Sequence, residues 1–216
     1  MLPLLPSGGA GPALATTAGD LSEDLYPYLN SQDAADLEHW TDAELLVWLN
    51  QGFERLARKA AVFVERNTSV SVVNGTAAYS LPARHLASIH VSLGGSPLRA
   101  SSRAELDARD STWKTAEGDV THYLHDHGAG LGSIRLYKEP QANGTLAIVR
   151  TFTPAALAAS GAIALPDILA DHVFVHALGE ARRREGDAAM PESAAVCDEL
   201  RGIYERVARE YWGAPS

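Results

Sequence analysis

Residues 40–66, WTDAELLVWLNQGFERLARKAAVFVER, carry the most regular pattern in the chain, and the rest of the architecture can be worked out from it. Thr41 and Glu44 have the spacing of a capping box, which predicts the start of a helix. Apolar residues then recur three or four positions apart, as on one face of an α-helix: Leu45, Leu49, Phe53, Leu56, Ala60 and Phe63. We predict a single helix through Arg66 with one apolar face to bury.

The period changes after residue 66, where short segments rich in β-branched and aromatic residues predict strands. Asn74–Gly75 and Asn143–Gly144 are the strongest turn signals, and the first of them predicts a hairpin. Pro82 cannot donate to a strand ladder, so the second arm of that hairpin should stop there and the chain should re-enter the sheet shortly afterwards. Ser101 or Ser102 is expected to cap a short helix further along.

Helical spacing returns after Pro154 in two segments. The first carries His172 and His176 on its apolar face. The second places the following residues on one stripe: Val196, Leu200, Ile203 or Tyr204, Val207 and Tyr211. The fold class is therefore α+β: a helical bundle from both ends of the chain, residues 31–66 and 155–212, with a small antiparallel β subdomain, residues 67–154, inserted between them.

Both termini differ in composition from the helical segments. Residues 1–19 are mostly Gly, Pro, Ala, Leu and Thr and contain no charged side chain. A short helix capped by Asp20 or Ser22 is expected next, ending at Pro27. We predict a flexible or partner-bound arm over residues 1–30 and a short C-terminal tail over residues 213–216.

Acidic charge is concentrated near the start of the chain. Nine acidic residues lie at or before Glu54, whereas the first basic residue is Arg55, and the net charge is −9. Such a segment cannot neutralise phosphates, so nucleic-acid wrapping is not expected. The segment is either a solvated face or a surface that meets a basic protein.

The sequence also limits the compartment. No run approaches the roughly 18 to 20 apolar residues that span a bilayer, so no membrane partner is expected. The N-terminus lacks a basic region and prolines interrupt its apolar run, which makes a poor secretory signal and favours an intracellular protein. Cys197 is the single cysteine, so no intrachain disulfide can form.

The most promising cluster of chemical groups is THYLHDHGAGLGS, residues 121–133. In a strand, His125 and His127 share one face while His122 points to the other, so fewer ligands converge than the three that a catalytic zinc takes. The glycines precede a strand instead of a helix, unlike a phosphate-binding loop. No catalytic motif is present elsewhere, and we predict no catalytic residue, no metal and no cofactor.

The densest basic run consists of Arg182, Arg183 and Arg184. One interpretation is that these residues complement the dipole at the end of a helix. The other is an inter-subunit basic patch that faces the acidic segment of a neighbouring copy. Head-to-tail contacts of that kind close into rings.

Five segments occur in the order found in the head-to-tail adaptor, or connector, proteins of tailed bacteriophages, and the chain resembles that family over residues 37–212. They are the helix start with Trp40, Asp42, Glu44 and Asn50; the group Tyr79, Leu81 and Pro82; Leu98 to Trp113; the strand SIRLYKEP, residues 133–140; and LPD, residues 165–167.

The resemblance implies a structural virion protein that joins portal and tail. It implies a ring of about twelve neighbouring copies beneath the portal, which extends the DNA channel without sequence-specific binding and presents a platform to tail or nozzle proteins. The implied location is the virion neck, with assembly in the bacterial host cytoplasm. A C-terminal segment is implied to dock on the portal or on a neighbouring copy, through Arg209, Tyr211, Trp212 and Gly213.

Two alternatives remain open at this point. One is another neck or tail structural protein, such as a tail-completion or stopper protein. The other is a metal-dependent hydrolase that uses the histidines of residues 122–127.

Overall fold

The computed structural model describes residues 17–29, 40–125, 132–158, 160, 165, 167–184 and 191–211. Helices from both ends of the chain and sheets from its middle confirm the predicted α+β class. The described elements are, in chain order, α1 (Ala18–Leu29), α2 (Asp42–Ala60), β1 (Val64–Val72), β2 (Ala78–Ser80), β3 (His85–Leu93), β4 (Ser96–Pro97), β5 (Arg99–Ala100), α3 (Arg103–Arg109), β6 (His122–His125), β7 (Ser133–Leu136), β8 (Gly144–Phe152), α4 (Asp167–Arg184) and α5 (Pro191–Tyr211).

The chain divides into two compact units. We call residues 1–56 and 155–208 the helical unit, and residues 57–154 and 209–216 the β unit. The helical unit contains α1, α4 and most of α2 and α5, whereas the eight described strands and α3 lie in the β unit.

Helix α2 begins as predicted and ends earlier than predicted. The hydroxyl of Thr41 accepts a hydrogen bond from the backbone of Glu44, whose carboxylate accepts one from the backbone N–H of Thr41 at 3.0 Å, which is a capping box. Ala61 then takes a left-handed conformation with a φ of 53°, which ends the helix at Ala60. Residues 64–66 were predicted to be helical but instead begin strand β1. This segment is rich in β-branched residues and pairs with β8.

Helix α1 is longer than the predicted short helix. Its cap is Thr17, whose hydroxyl accepts from the backbone of Asp20 at 3.1 Å, and not Asp20 or Ser22. The predicted end at Pro27 is also wrong, because the helix runs on to Leu29. Proline in the last turn removes a single backbone donor close to where the helix would end anyway. The ring of Tyr28 packs edge-on against Phe174 of α4.

Two glycines allow the helices of the helical unit to approach closely. A Cβ atom added to Gly52 of α2 would lie 3.1 Å from the Cβ of His176 on α4. One added to Gly179 of α4 would lie 3.1 Å from the Cβ of Cys197 on α5. Even a methyl group at either position would require the neighbouring side chain to shift by a few tenths of an ångström, and a larger side chain would require more.

The β unit contains two four-stranded sheets with the strand orders β1-β8-β3-β4 and β2-β7-β6-β5. All pairs are antiparallel except β5 with β6. Both sheets contribute to one apolar core: Val72, Tyr79, Leu81, Val91, Leu98, Tyr123, Ile134, Leu136, Leu146 and Ile148. The predicted antiparallel β subdomain is therefore correct in kind.

The turn at Asn74–Gly75 does not make the predicted hairpin. Gly75 has the expected positive φ of 72°, yet β1 pairs with β8 and β2 pairs with β7 in the other sheet. The reason is that the turn bonds to the chain before β8: Gly75 donates to the carbonyl of Pro140 at 2.9 Å, and Asn74 donates to the side chain of Asn143. Ser102, one of the two predicted caps, does cap α3.

We expect leucine at Gly52 to destabilise the helical unit, and leucine at Gly202 to serve as its control. Apart from the backbone of its own helix, a Cβ on Gly202 of α5 would meet no atom of the described residues within 4 Å. Gly52→Leu should therefore cost about 1 to 3 kcal/mol of unfolding free energy through overpacking. Gly202→Leu should add up to about 1 kcal/mol through helix propensity. Denaturant unfolding measures both, and equal stability of Gly52→Leu and the wild type would contradict the close approach.

Candidate functional site

The predicted inter-subunit basic patch lies on the last turns of α4, and each of its guanidinium groups has partners in the helical unit. Arg182 donates to the backbone carbonyl of Tyr28 at 2.5 Å. Arg183 pairs with the carboxylates of Glu180 and Asp198. Arg184 lies over the indole ring of Trp48. Contact of these arginines with a neighbouring copy stays a prediction.

The predicted C-terminal docking residues begin at the end of α5. Arg209 donates from Nη2 and Nε to the carbonyl of Lys59 at 3.0 and 3.2 Å, and so satisfies a carbonyl in the last turn of α2. Tyr211 is 72% exposed and is the last residue of α5. Trp212 and Gly213 lie outside the described residues.

The histidines of β6 do not share one environment. His122 lies 2.9 Å from Arg109, and burial together with this cation lowers the pKa of the imidazole. The His125 ring instead lies near Tyr123 and His85. His127 lies outside the described residues, and among those that are described no three His, Cys, Asp or Glu side chains form a group that could hold a metal.

Two further features of the sequence are the single cysteine and the hydropathy of the helices. Cys197 is buried against Gly179, and burial raises the pKa of its thiol. Within the described part of the chain, no helix combines the length and hydropathy needed to cross a membrane.

Asn50 lies in the first of the five segments that carry the family resemblance, which we call the landmarks. It holds the chain that returns to the helical unit. Its side-chain amide donates to the carbonyl of Leu157 at 3.1 Å, and its oxygen accepts from the backbone N–H of Leu157 at 2.6 Å. The same amide donates to the carbonyl of Leu46. Trp40 packs edge-on against Trp48, with ring centroids 4.8 Å apart.

Tyr79 and Pro82, from the second landmark, organise the loops around β2. The hydroxyl of Tyr79 lies within hydrogen-bond distance of backbone atoms of Val73 and Thr76, which closes the turn between β1 and β2. The carbonyl of Pro82 accepts from the guanidinium of Arg150.

Arg150 is itself 8% exposed, and its charge is balanced within the sheet. It donates to the carboxylate of Glu65 at 2.6 and 2.7 Å and to the carbonyl of Ala83 at 3.1 Å. A buried guanidinium must have its charge and its N–H groups paired. Because the partners of Arg150 lie on β1 and in the loop after β2, this arginine links both segments to β8.

Trp113, from the third landmark, centres a second small core. It is buried with Leu106, Leu124 and Tyr137, and its indole N–H donates to Asp107 at 2.8 Å. The landmark residues thus bind backbone and core groups, as expected of residues that stabilise a scaffold.

A buried polar network joins α2, α4 and α5, and no motif in the sequence indicated it. His172 and His176 on α4 are both buried, and Glu205 on α5 lies 3.6 Å from His172. Arg55 on α2 donates to Glu205 at 2.5 Å, and Arg201 lies 3.2 Å from His176. The signal that could have revealed it is the pair of histidines four residues apart on an otherwise apolar helix face.

Burial dominates the chemistry of this network. It lowers the pKa of His176 to about 4, with a further contribution from Arg201. The pKa of His172 is also lowered by burial, which outweighs the opposite effect of Glu205. Both imidazoles are therefore neutral in the folded protein at neutral pH.

The predicted stripe of α5 faces away from the bundle. Val196, Leu200 and Ile203 are 56%, 40% and 50% exposed, respectively. The side of α5 that is buried carries Ala194, Cys197 and Ala208, together with the partly buried Arg201 and Glu205. We call Val196, Leu200 and Ile203 the α5 stripe.

These features define a structural protein: a scaffold held by side-chain-to-backbone bonds, with an apolar helix face exposed. The chain matches the family model for the SU10 adaptor protein over residues 16–215. It belongs to that family, which makes it a structural adaptor of tailed bacteriophages and confirms the resemblance inferred from the sequence. No curated protein matches the chain.

We expect the stability of the fold to fall in mild acid because of His172 and His176. Their folded-state pKa values lie below the unfolded value of about 6.5, so the unfolded chain takes up protons first. The stability that depends on the neutral imidazoles is complete above about pH 6.5 and is lost as the pH falls toward 4.

Denaturant unfolding at pH values from 7 to 5 provides the measurement. His176→Leu should reduce the pH slope by up to about 1.4 kcal/mol per pH unit. Val73→Ala, at an exposed position that carries no titratable group, is the control and should leave the slope unchanged. An unaltered slope in His176→Leu would show that this imidazole is not the buried neutral group described here.

Proposed function

We propose that the chain forms a ring beneath the portal of a tailed bacteriophage, extends the DNA channel and presents a platform to tail proteins. The observation that carries the proposal is the family match, which extends over residues 16–215 and so includes both units. The place of action is the virion neck, between the capsid portal and the tail.

The charge of the chain supports a channel wall instead of a DNA-binding surface. With a net charge of −9, the protein has no excess of cations to neutralise phosphates. A wall that bound DNA tightly would slow its passage, whereas a wall of like charge does not hold the polyanion.

The character of the landmark residues also supports a structural role. Asn50, Tyr79 and Trp113 each use their polar atoms on other parts of the same chain, as side chains with a structural role do. An adaptor needs this, because it must keep its shape while it transmits force and position between two larger assemblies.

The end of α5 is the part of the chain that we assign to the portal. Arg209 binds the end of α2, so that α5 is held up to its last turn while Tyr211 remains exposed. Aromatic residues at such a position are the commonest energetic anchors of protein interfaces. Trp212 and Gly213 continue the chain from there.

We expect Trp212→Ala, or truncation from Gly213 onward, to weaken binding to the portal of the same phage by more than about tenfold. Loss of a buried interface tryptophan typically costs ~2 kcal/mol or more. Size-exclusion chromatography with light scattering, with and without portal, measures the complex. Val73→Ala, at an exposed apolar position of the β unit, is the control and should bind normally.

The melting temperature of the isolated Trp212→Ala protein separates docking from folding. It should stay close to the wild-type value, because the side chain is assigned to the interface. A much lower melting temperature together with normal portal binding would place Trp212 in the core of its own chain and would contradict the assignment.

A further inference from the structure

A cleft in the β unit is lined by cationic and imidazole side chains and by no carboxylate of the described residues. Its volume is about 740 Å³, which is within the range of pockets that hold small ligands. We propose that this cleft binds an acidic peptide segment of a partner protein, with carboxylates beside the arginines and aliphatic side chains on the leucines. The lining residues that carry the argument are Arg58, Arg84, His85, His125, Leu81 and Leu86.

The charge of the cleft is opposite to that of the chain as a whole. The β unit contains 12 Lys and Arg against 9 Asp and Glu, whereas the helical unit contains 6 against 18. Among the described residues, no hydrogen bond or ion pair engages the guanidinium of Arg84, which is exposed. A cation that its own unit does not neutralise attracts an anion from another molecule.

The loop that carries Arg84 is held in one conformation. Arg84 has a positive φ of 60°, and its carbonyl accepts a hydrogen bond from the backbone of Thr153 at 2.9 Å. The guanidinium of Arg150 donates to the carbonyls of Pro82 and Ala83 at 3.4 and 3.1 Å. A left-handed conformation is unfavourable for a residue with a Cβ, so these bonds maintain it. The cleft is therefore formed in advance, which lowers the entropic cost of binding.

The imidazole of His85 has one nitrogen unpaired. Its Nδ1 is buried and has no hydrogen-bond partner among the described residues, while its Nε2 lies 3.4 Å from the hydroxyl of Ser88. Burial, followed by the charges of His125 and Arg150, lowers the pKa of His85 to about 4. Buried polar atoms normally have partners, and a nearby anion favours the protonated imidazole. A bound carboxylate should therefore pair with this ring and raise its pKa.

Two other kinds of anion match the cleft less well. The phosphates of duplex DNA lie on the outside of a convex cylinder, which does not enter a concave cleft of this size. A small phosphate compound would leave Leu86, which is 37% exposed, in contact with water. An extended peptide with alternating acidic and aliphatic residues presents both kinds of side chain, and so it can contact both kinds of surface.

Binding of a labelled peptide to the full chain, measured by fluorescence anisotropy, tests the proposal. The probe alternates glutamate and leucine, and its control alternates glutamine and leucine. We expect the glutamate peptide to bind about tenfold more tightly, because its hydrogen bonds are charge-assisted, and to weaken as salt is added. Absence of binding, equal binding of both peptides, or displacement by equimolar phosphate or duplex DNA would overturn the proposal.

Substitutions locate the peptide, each with a control of equal charge. Arg84→Gln should weaken binding about tenfold, whereas Arg66→Gln, at an exposed position of β1 outside the cleft, should not. Leu86→Glu should abolish binding, whereas Val73→Glu, at a residue 54% exposed, should not. The melting temperatures of all four variants should stay close to the wild-type value. Normal binding by both Arg84→Gln and Leu86→Glu would refute the assignment.

The titration of His85 distinguishes binding in the cleft from general attraction to a basic surface. NMR follows the imidazole with and without saturating glutamate peptide. The pKa should rise from about 4 when the peptide is bound. An unchanged pKa with the peptide bound would place the peptide elsewhere.

Cross-linking in the virion identifies the source of the acidic segment. A photoreactive phenylalanine analogue at position 86, with position 73 as the control, should form adducts with an acidic segment of a different virion protein. Adducts with DNA or with another copy of this chain would contradict the assignment. Peptide binding is measured on the free protein, so it can succeed where portal binding fails, and the cleft and the proposed function are tested separately.

Discussion

The close approach of α4 to its two neighbouring helices is the constraint on which the helical unit depends. Gly52 lets the backbone of α2 come against His176, and Gly179 lets α4 come against Cys197 of α5. This spacing brings Arg55 and Glu205 within 2.5 Å of one another across α2 and α5. The mostly buried carboxylate of Glu205 is thereby neutralised by the partly exposed Arg55, and an unpaired carboxylate at that position would be costly.

The same packing determines which residues of α5 are exposed. Arg201 and Glu205 turn inward to the histidines of α4 together with the small residues Ala194, Cys197 and Ala208, and the larger residues of the α5 stripe are left exposed. In the β unit, Arg150 and the landmark residues likewise direct their polar atoms to their own chain. The polar groups of both units are thus satisfied within the chain, while an apolar side of α5 stays exposed.

The parts of the structure that local chemistry controls could be predicted from the sequence. The α+β class, the capping box at Thr41 and the cap at Ser102 all depend on residues close together in the chain. The end of α2 could not be predicted, because alanine at position 61 gives no sign of a left-handed conformation. The pairing of β1 with β8 depends on bonds between residues 74 and 143, far apart in sequence.

The stripe of α5 shows a further limit of periodicity. The spacing predicts which residues share a face of the helix, and they do share one. Which face turns inward is decided by the partners of Arg201 and Glu205 on α2 and α4, and these partners are known only from the fold.

A cryo-EM reconstruction of the protein bound to its own portal would test the central claim most directly. We expect an open ring of copies beneath the portal with a continuous channel. A plug that closes the channel, or a portal that carries no ring of this protein, would contradict the claim.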